Sequence, residues 1–177
     1  MALMDDSENR TIEAARRGDR SAQALLLRQL QDRWFRVCFS QLHDHERARD
    51  AAQETALRFI RDLPKFAGQS RLTTWSIGIA INVSREMRRT DRPVPVEAAR
   101  HGEDSPDLAA GDAEQGALLR EMLDDLPPRQ REALVLRFFE DLSTEEAAAA
   151  MGCAAGTIKA TVHQALRALK QKMAKLK

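Results

Sequence analysis

The stretch Leu142-Ser143-Thr144-Glu145-Glu146-Ala147-Ala148-Ala149-Ala150-Met151-Gly152-Cys153-Ala154-Ala155-Gly156-Thr157-Ile158-Lys159 reads as a helix, a tight turn and a second helix. Ser143 can accept from the free N–H groups of the first helix, and Glu146 three residues on completes a capping box. Ala147 and Ala148 are small, so the second helix can cross closely. Gly152 stands where the chain must leave the first helix, a place that favours positive φ. Thr157 is the expected cap of the second helix, with Ile158, Val162, Leu166 and Leu169 facing inward. The outer side of that helix carries Thr157, Lys159, His163, Gln164 and Arg167, which suit phosphates and base edges in a major groove. From Thr157 onward there are six basic residues and no acid. A helix that needs only solubility usually mixes signs.

Working toward the N-terminus, Arg129 to Phe139 reads as another helix, preceded by Leu126-Pro127-Pro128. Before that, Leu118, Leu119, Met122 and Leu123 make one amphipathic turn after another. Residues 91–113 mix Pro93, Pro95, Pro106, Gly102 and Gly111 with acids and small residues, the composition of a flexible linker. The first module opens with an amphipathic stretch at 8–31, broken near Gly18-Asp19, whose stripe is Ile12, Ala15, Leu25, Leu26 and Leu30. Trp34, Phe35, Val37, Cys38 and Phe39 continue the stripe to a polar break at His43-Asp44-His45. Arg47 to Leu63 follows as a helix ended by Pro64, and Thr73 to Arg89 as the next. The organisation expected is therefore all-α: a helical module at 8–91, an acidic linker at 92–113 and a helix-turn-helix module at 114–177.

The 177 residues carry a net charge of only +1, but the charge is patterned. Residues 1–92 hold 17 basic and 13 acidic side chains, residues 93–116 hold one and six, and residues 117–177 hold ten and eight. Two mildly basic modules thus flank an acidic connector. No apolar run approaches the roughly 20 residues that span a bilayer. Met1 to Arg10 lacks the apolar core of a signal peptide, so a cytoplasmic location is expected. Cys38 and Cys153 belong to no metal-ligand spacing and read as two free thiols. No nucleophilic triad, P-loop or dinucleotide fingerprint is present, and His43 and His45 read as a surface pair. Neither enzymatic activity, nor a metal, nor a cofactor is expected.

Several short motifs occur in order. They are Asp50-Ala51-Ala52-Gln53-Glu54-Thr55, Phe66-Ala67-Gly68-Gln69-Ser70-Arg71-Leu72-Thr73-Thr74-Trp75, Ile79-Ala80-Ile81-Asn82, Asn82-Val83-Ser84-Arg85-Glu86-Met87-Arg88-Arg89, Leu126-Pro127-Pro128-Arg129-Gln130-Arg131-Glu132 and Gly156-Thr157-Ile158-Lys159. Together they resemble the extracytoplasmic-function group of bacterial RNA polymerase sigma factors. The resemblance implies that the first module docks on the β′ clamp helices of core RNA polymerase and opens the −10 element of promoter DNA. It implies that the second binds the −35 element and the β flap. On this reading Asp50, Gln53, Glu54 and Leu57, which share a helix face, grip the clamp. Phe66, Gln69 and Ser70 would hold an unstacked base, Asn82 would read a base edge, and Arg85, Arg88 and Arg89 would meet phosphates. Trp75, beside Ile77 and Ile79, reads as core. The alternative is a stand-alone helix-turn-helix regulator that needs no polymerase.

Two departures from that group bear on control. The group's Asp-Ala-Glu-Asp stretch is here Arg47-Ala48-Arg49-Asp50, and like charges against a basic clamp repel. Thr55 stands beside the Gln-Glu pair, and a phosphate there would add about −1.5 to −2 charges. The expectation is a switch: a Ser/Thr kinase phosphorylates Thr55 and supplies the missing charge, with control by an anti-sigma factor as the other course. In the last helix the group's arginines are replaced by Thr161 and Gln164. Fewer phosphate contacts are then expected, with Gln164 suited to adenine.

Overall fold

The computed structural model describes residues 6–90 and 123–175, and every regular element among them is helical. Helix α1 (Asp6–Arg16) ends at Gly18, whose φ of 93° turns the chain. Asp19 then caps α2 (Arg20–Leu42) by accepting from the Ala22 N–H at 2.9 Å. Leu25, Leu26 and Leu30 thus share one long helix with Trp34–Phe39, while Ile12 and Ala15 stand on α1. His43, at φ 55°, takes the left-handed position that closes α2, and Asp44 caps α3 (His45–Asp62) through the Arg47 N–H. Pro64 sits in a short 3-10 turn, Leu63–Lys65, where the chain leaves α3. Helix α4 (Leu72–Thr90) completes the first module.

In the second module α5 (Pro128–Leu134) starts on its proline and passes into a π-helical turn, Val135–Phe139. Helix α6 (Thr144–Met151) carries the capping box read from the sequence: Ser143 Oγ accepts from the Glu146 N–H, and Glu146 accepts from the Ser143 N–H. Gly152 has φ 67°. Helix α7 (Ala155–Lys175) begins two residues before the expected cap, so Thr157 lies within its first turn and caps nothing. The linker at 92–113 and the turn through Leu118, Leu119 and Met122 fall outside the described residues.

Aromatic stacking organises the first module. Trp34 meets Phe59 at 5.2 Å between ring centroids, Phe59 meets Trp75 at 5.6 Å, and Trp75 meets Phe66 at 5.0 Å. Such tilted pairs add stability beyond the area they bury. Ile12, Ala15, Leu26 and Leu30 are buried as expected, but Leu25 is not. On α7 the inward row is Ile158, Val162, Ala165 and Leu169, and Leu166 is exposed instead. The core does not stop at the module boundary. One apolar cluster runs from Trp34 and Ile81 into Leu136, Leu142, Ala147, Ala150 and Ile158, while Leu123, Leu126, Leu134 and Ala165 form a smaller one. Helix α6 lies against α4, and a side chain added at Gly78 would stand 3.6 Å from the Ala150 carbonyl oxygen.

Candidate nucleic-acid and polymerase interfaces

The face of α3 expected to meet polymerase is assembled as a shallow recess. Asp50, Gln53, Glu54 and Leu57 line it together with Arg58, Glu86 and Met87. Leu57 is 68% exposed. Arg58 bridges two carboxylates, Glu54 at 2.7 Å and Glu86 at 2.8 Å. Those bonds raise the Arg58 pKa further, so the recess always holds a fixed positive charge at its edge. The sequence reading had not joined Arg58, Glu86 and Met87 to this surface, because they come from the next turn and from a different helix.

Thr55 corrects the expectation of a phosphorylation switch. It is wholly buried, and its hydroxyl donates to the Ala51 carbonyl at 2.7 Å. The neighbouring thiol, Cys38, is pushed up to about 11 by burial, against the pull of hydrogen bonds from Ser84 and Thr55. A kinase would need α3 unfolded to reach Thr55, and a dianion has no partner in that core. The row Ala48, Ala51, Thr55, Phe59 is the buried stripe of α3, at helical spacing.

The loop between α3 and α4 divides. Phe66 is 7% exposed and stacked on Trp75, so it belongs to the core and does not offer its ring to a base. Gln69 is exposed and Ser70 half-buried. Along α4, Asn82, Arg88 and Arg89 are exposed, whereas Ser84 is buried and donates to the Ala80 carbonyl. Arg85 is engaged: it donates to Glu132 at 2.6 Å and to the Met151 carbonyl at 3.4 Å. Ser70, Asn82 and Arg85 line one cleft, whose other wall is Ala149 to Gly152 of the helix-turn-helix. Arg88 donates to Gln41 at 3.3 Å.

On α7 the residues Thr157, Lys159, His163, Gln164 and Arg167 are all exposed. Ile158 and Ala165 anchor the opposite side, so the basic face is held rigidly outward. The capping box stiffens the preceding helix. Burial acts against the Glu146 charge, but the bonds from the Ser143 backbone and hydroxyl, with Arg71 nearby, bring its carboxyl below the usual range.

Residues that the sequence reading passed over join the modules. Glu140 is buried and meets Arg36 at 2.9 Å and Arg33 at 3.5 Å. Arg131 is buried with its guanidinium in a cage of carbonyls: Leu123 at 2.8 Å, Ser40 at 3.1 Å, Asp124 at 2.6 Å and Leu126 at 3.0 Å. His43 Nδ1 lies 2.9 Å from Asp124. A charged residue in a motif signals a role, but nothing local says that its partner lies in the other module.

Two family models match successive parts of the chain. Residues 26–93 match the family model described as sigma-70 region 2, and residues 116–169 match sigma-70 region 4. The chain is 33% identical over 181 residues to the RNA polymerase sigma-H factor of Pseudomonas aeruginosa, covering 94% of each chain. It is 32% identical over 184 residues to the ECF RNA polymerase sigma factor SigD of Mycobacterium tuberculosis, covering 98% of this chain and 87% of that one. Among solved structures, CnrH in complex with the cytosolic domain of CnrY shares the fold, with a TM-score of 0.74 at 20% identity over 96% of this chain and 99% of that one. With both regions present in order and relatives matched along nearly their whole length, the chain belongs to the extracytoplasmic-function group of RNA polymerase sigma factors.

Proposed function

We propose that the first module grips core RNA polymerase through Asp50, Gln53, Glu54 and Leu57 and works on the −10 element through Gln69, Ser70, Asn82, Arg85, Arg88 and Arg89. The second module binds the −35 element through Thr157, Lys159, His163, Gln164 and Arg167. A sigma factor is a transcription-initiation factor, not an enzyme, and it acts where core polymerase and promoter DNA meet. The observation that carries the residue assignment is the exposed, rigidly anchored basic face of α7 on the same chain as the mixed apolar and charged recess on α3. An exposed leucine ringed by charge is the composition of a protein-docking surface rather than of a DNA contact. Asn82 and the arginines of α4 offer what a melted strand needs, an edge reader and phosphate partners.

A stand-alone repressor has no use for the recess on α3. Run-off transcription with purified core polymerase over a promoter library tests the reading. Transcripts that depend on this protein, and that disappear with Leu57→Glu, are the expected result. No transcript from any promoter, with core polymerase shown to be active, overturns it.

A further inference from the structure

Helix α4 presents two working faces. Asn82 and Arg85 line the cleft beside Ser70. The next two residues, Glu86 and Met87, line the recess with Glu54 and Leu57 of α3 instead. Successive residues of a helix turn by about 100°, so neighbours in sequence serve different sides of α4.

The recess owes its acidity to both helices. Three of its side chains are carboxylates, Asp50, Glu54 and Glu86, against one guanidinium, Arg58. Arg47 and Arg49, which stand where the group carries acids, do not line it. Arg58 spans the seam between the helices. Its Nε donates to Glu54 at 2.7 Å within α3, and its Nη1 lies 2.8 Å from Glu86 on α4. The Glu54–Arg58 pair has the favourable i, i+4 order. An ionised carboxylate has about four acceptor sites, so it can hold one guanidinium and meet another. Within this charged rim Leu57 is exposed and Met87 half-buried. Methionine is unbranched and polarizable, so it adapts to the side chain that meets it. Three carboxylates repel a phosphate backbone. Acids around an apolar centre fit the face of a basic, amphipathic helix.

Resting on the sigma-factor assignment, we propose that the polymerase site crosses from α3 onto α4: Glu86 and Met87 contact core polymerase, and Arg58 is the positioning residue that holds Glu54 and Glu86 in one rim. The surface that fits offers an arginine or lysine to the two glutamates and an aliphatic side chain to Leu57 and Met87. The helix so held is also the one whose Asn82 and Arg85 line the cleft on its other side, so polymerase and promoter grip α4 from two directions.

The test uses the full chain, labelled with a dye at its N-terminus, and purified core polymerase. Affinity is read by fluorescence anisotropy, output by run-off transcription against protein concentration, and fold by thermal unfolding. Glu86→Gln keeps the shape and removes the charge. It should weaken binding about tenfold, equivalent to 1.4 kcal/mol, and shift half-maximal transcription by the same factor with an unchanged plateau. Its melting temperature should stay within about 4 °C of the wild type, as for loss of one exposed ion pair. The loss in affinity should shrink at about 0.5 M salt, where charges are screened within about 5 Å. Met87→Gln should weaken binding about fivefold at either salt concentration, since its contact is apolar. Arg58→Ala should match Glu86→Gln, and Arg58→Lys should recover most of the loss. In a Glu54→Gln/Glu86→Gln background Arg58→Ala should change binding by less than about twofold, because nothing is left to position.

Either Glu86→Gln or Met87→Gln binding like the wild type overturns the proposal, and the sigma assignment stands as long as the wild type drives transcription. An Arg58→Ala protein that binds as well as the wild type, or loses as much in the double-glutamine background, overturns the positioning role. A wild-type chain that neither binds core polymerase nor yields a transcript overturns both readings.

Discussion

Replacing Thr55 by Glu, the usual imitation of a phosphothreonine, is expected to damage this protein rather than activate it. The side chain is wholly buried between α2 and α3, against Cys38 and one turn from Phe59. Its hydroxyl already has an acceptor in the Ala51 carbonyl. A glutamate there must either bury an unpaired carboxylate or force α3 from its seat, and changes of this kind cost about 3–5 kcal/mol. Against a total stability of about 5–15 kcal/mol, that is a large share. At about 2–4 °C per kcal/mol for a chain of this size, the melting temperature should fall by roughly 10–15 °C. Thr55→Val is the control. It keeps the branched shape and removes only a hydroxyl bond to a carbonyl that the helix already engages, so it should cost about 1 kcal/mol or less. The assay is thermal unfolding by circular dichroism, followed by run-off transcription below both melting points. A Thr55→Glu protein that melts with the wild type and transcribes better would refute the burial argument and restore the switch read from the sequence.

Other substitutions separate core from interface. Phe66→Ala should cost about 3–5 kcal/mol in urea unfolding because it removes half of the Phe66–Trp75 stack, whereas Gln69→Ala should leave stability within about 0.5 kcal/mol and weaken only open-complex formation. Lys159→Ala/Arg167→Ala should weaken −35 binding at all sequences and flatten the salt dependence by about 1.8 in log–log slope, read by fluorescence anisotropy between 50 and 200 mM salt. Ser143→Ala should cost about 1 kcal/mol by breaking the capping box, seen as a lowered melting temperature.

What the sequence revealed and what it hid follow from the range of the forces concerned. Helix ends were legible wherever a side chain caps its own neighbours, as Ser143, Glu146 and Gly152 do. Thr157 misled because a threonine in the first turn of a helix looks like a cap, while the helix in fact starts at Ala155. Leu166 and Ala165 exchanged roles because three-four spacing admits either, and packing against Leu123, Leu126 and Leu134 chose the smaller residue. Phe66 lies in a loop by local reading, but the loop folds back onto Trp75. Thr55 could have been placed correctly, since its spacing from Ala48, Ala51 and Phe59 is that of a buried stripe. The partners of Arg131, Glu132 and Glu140 could not. Each depends on a contact with a module far along the chain.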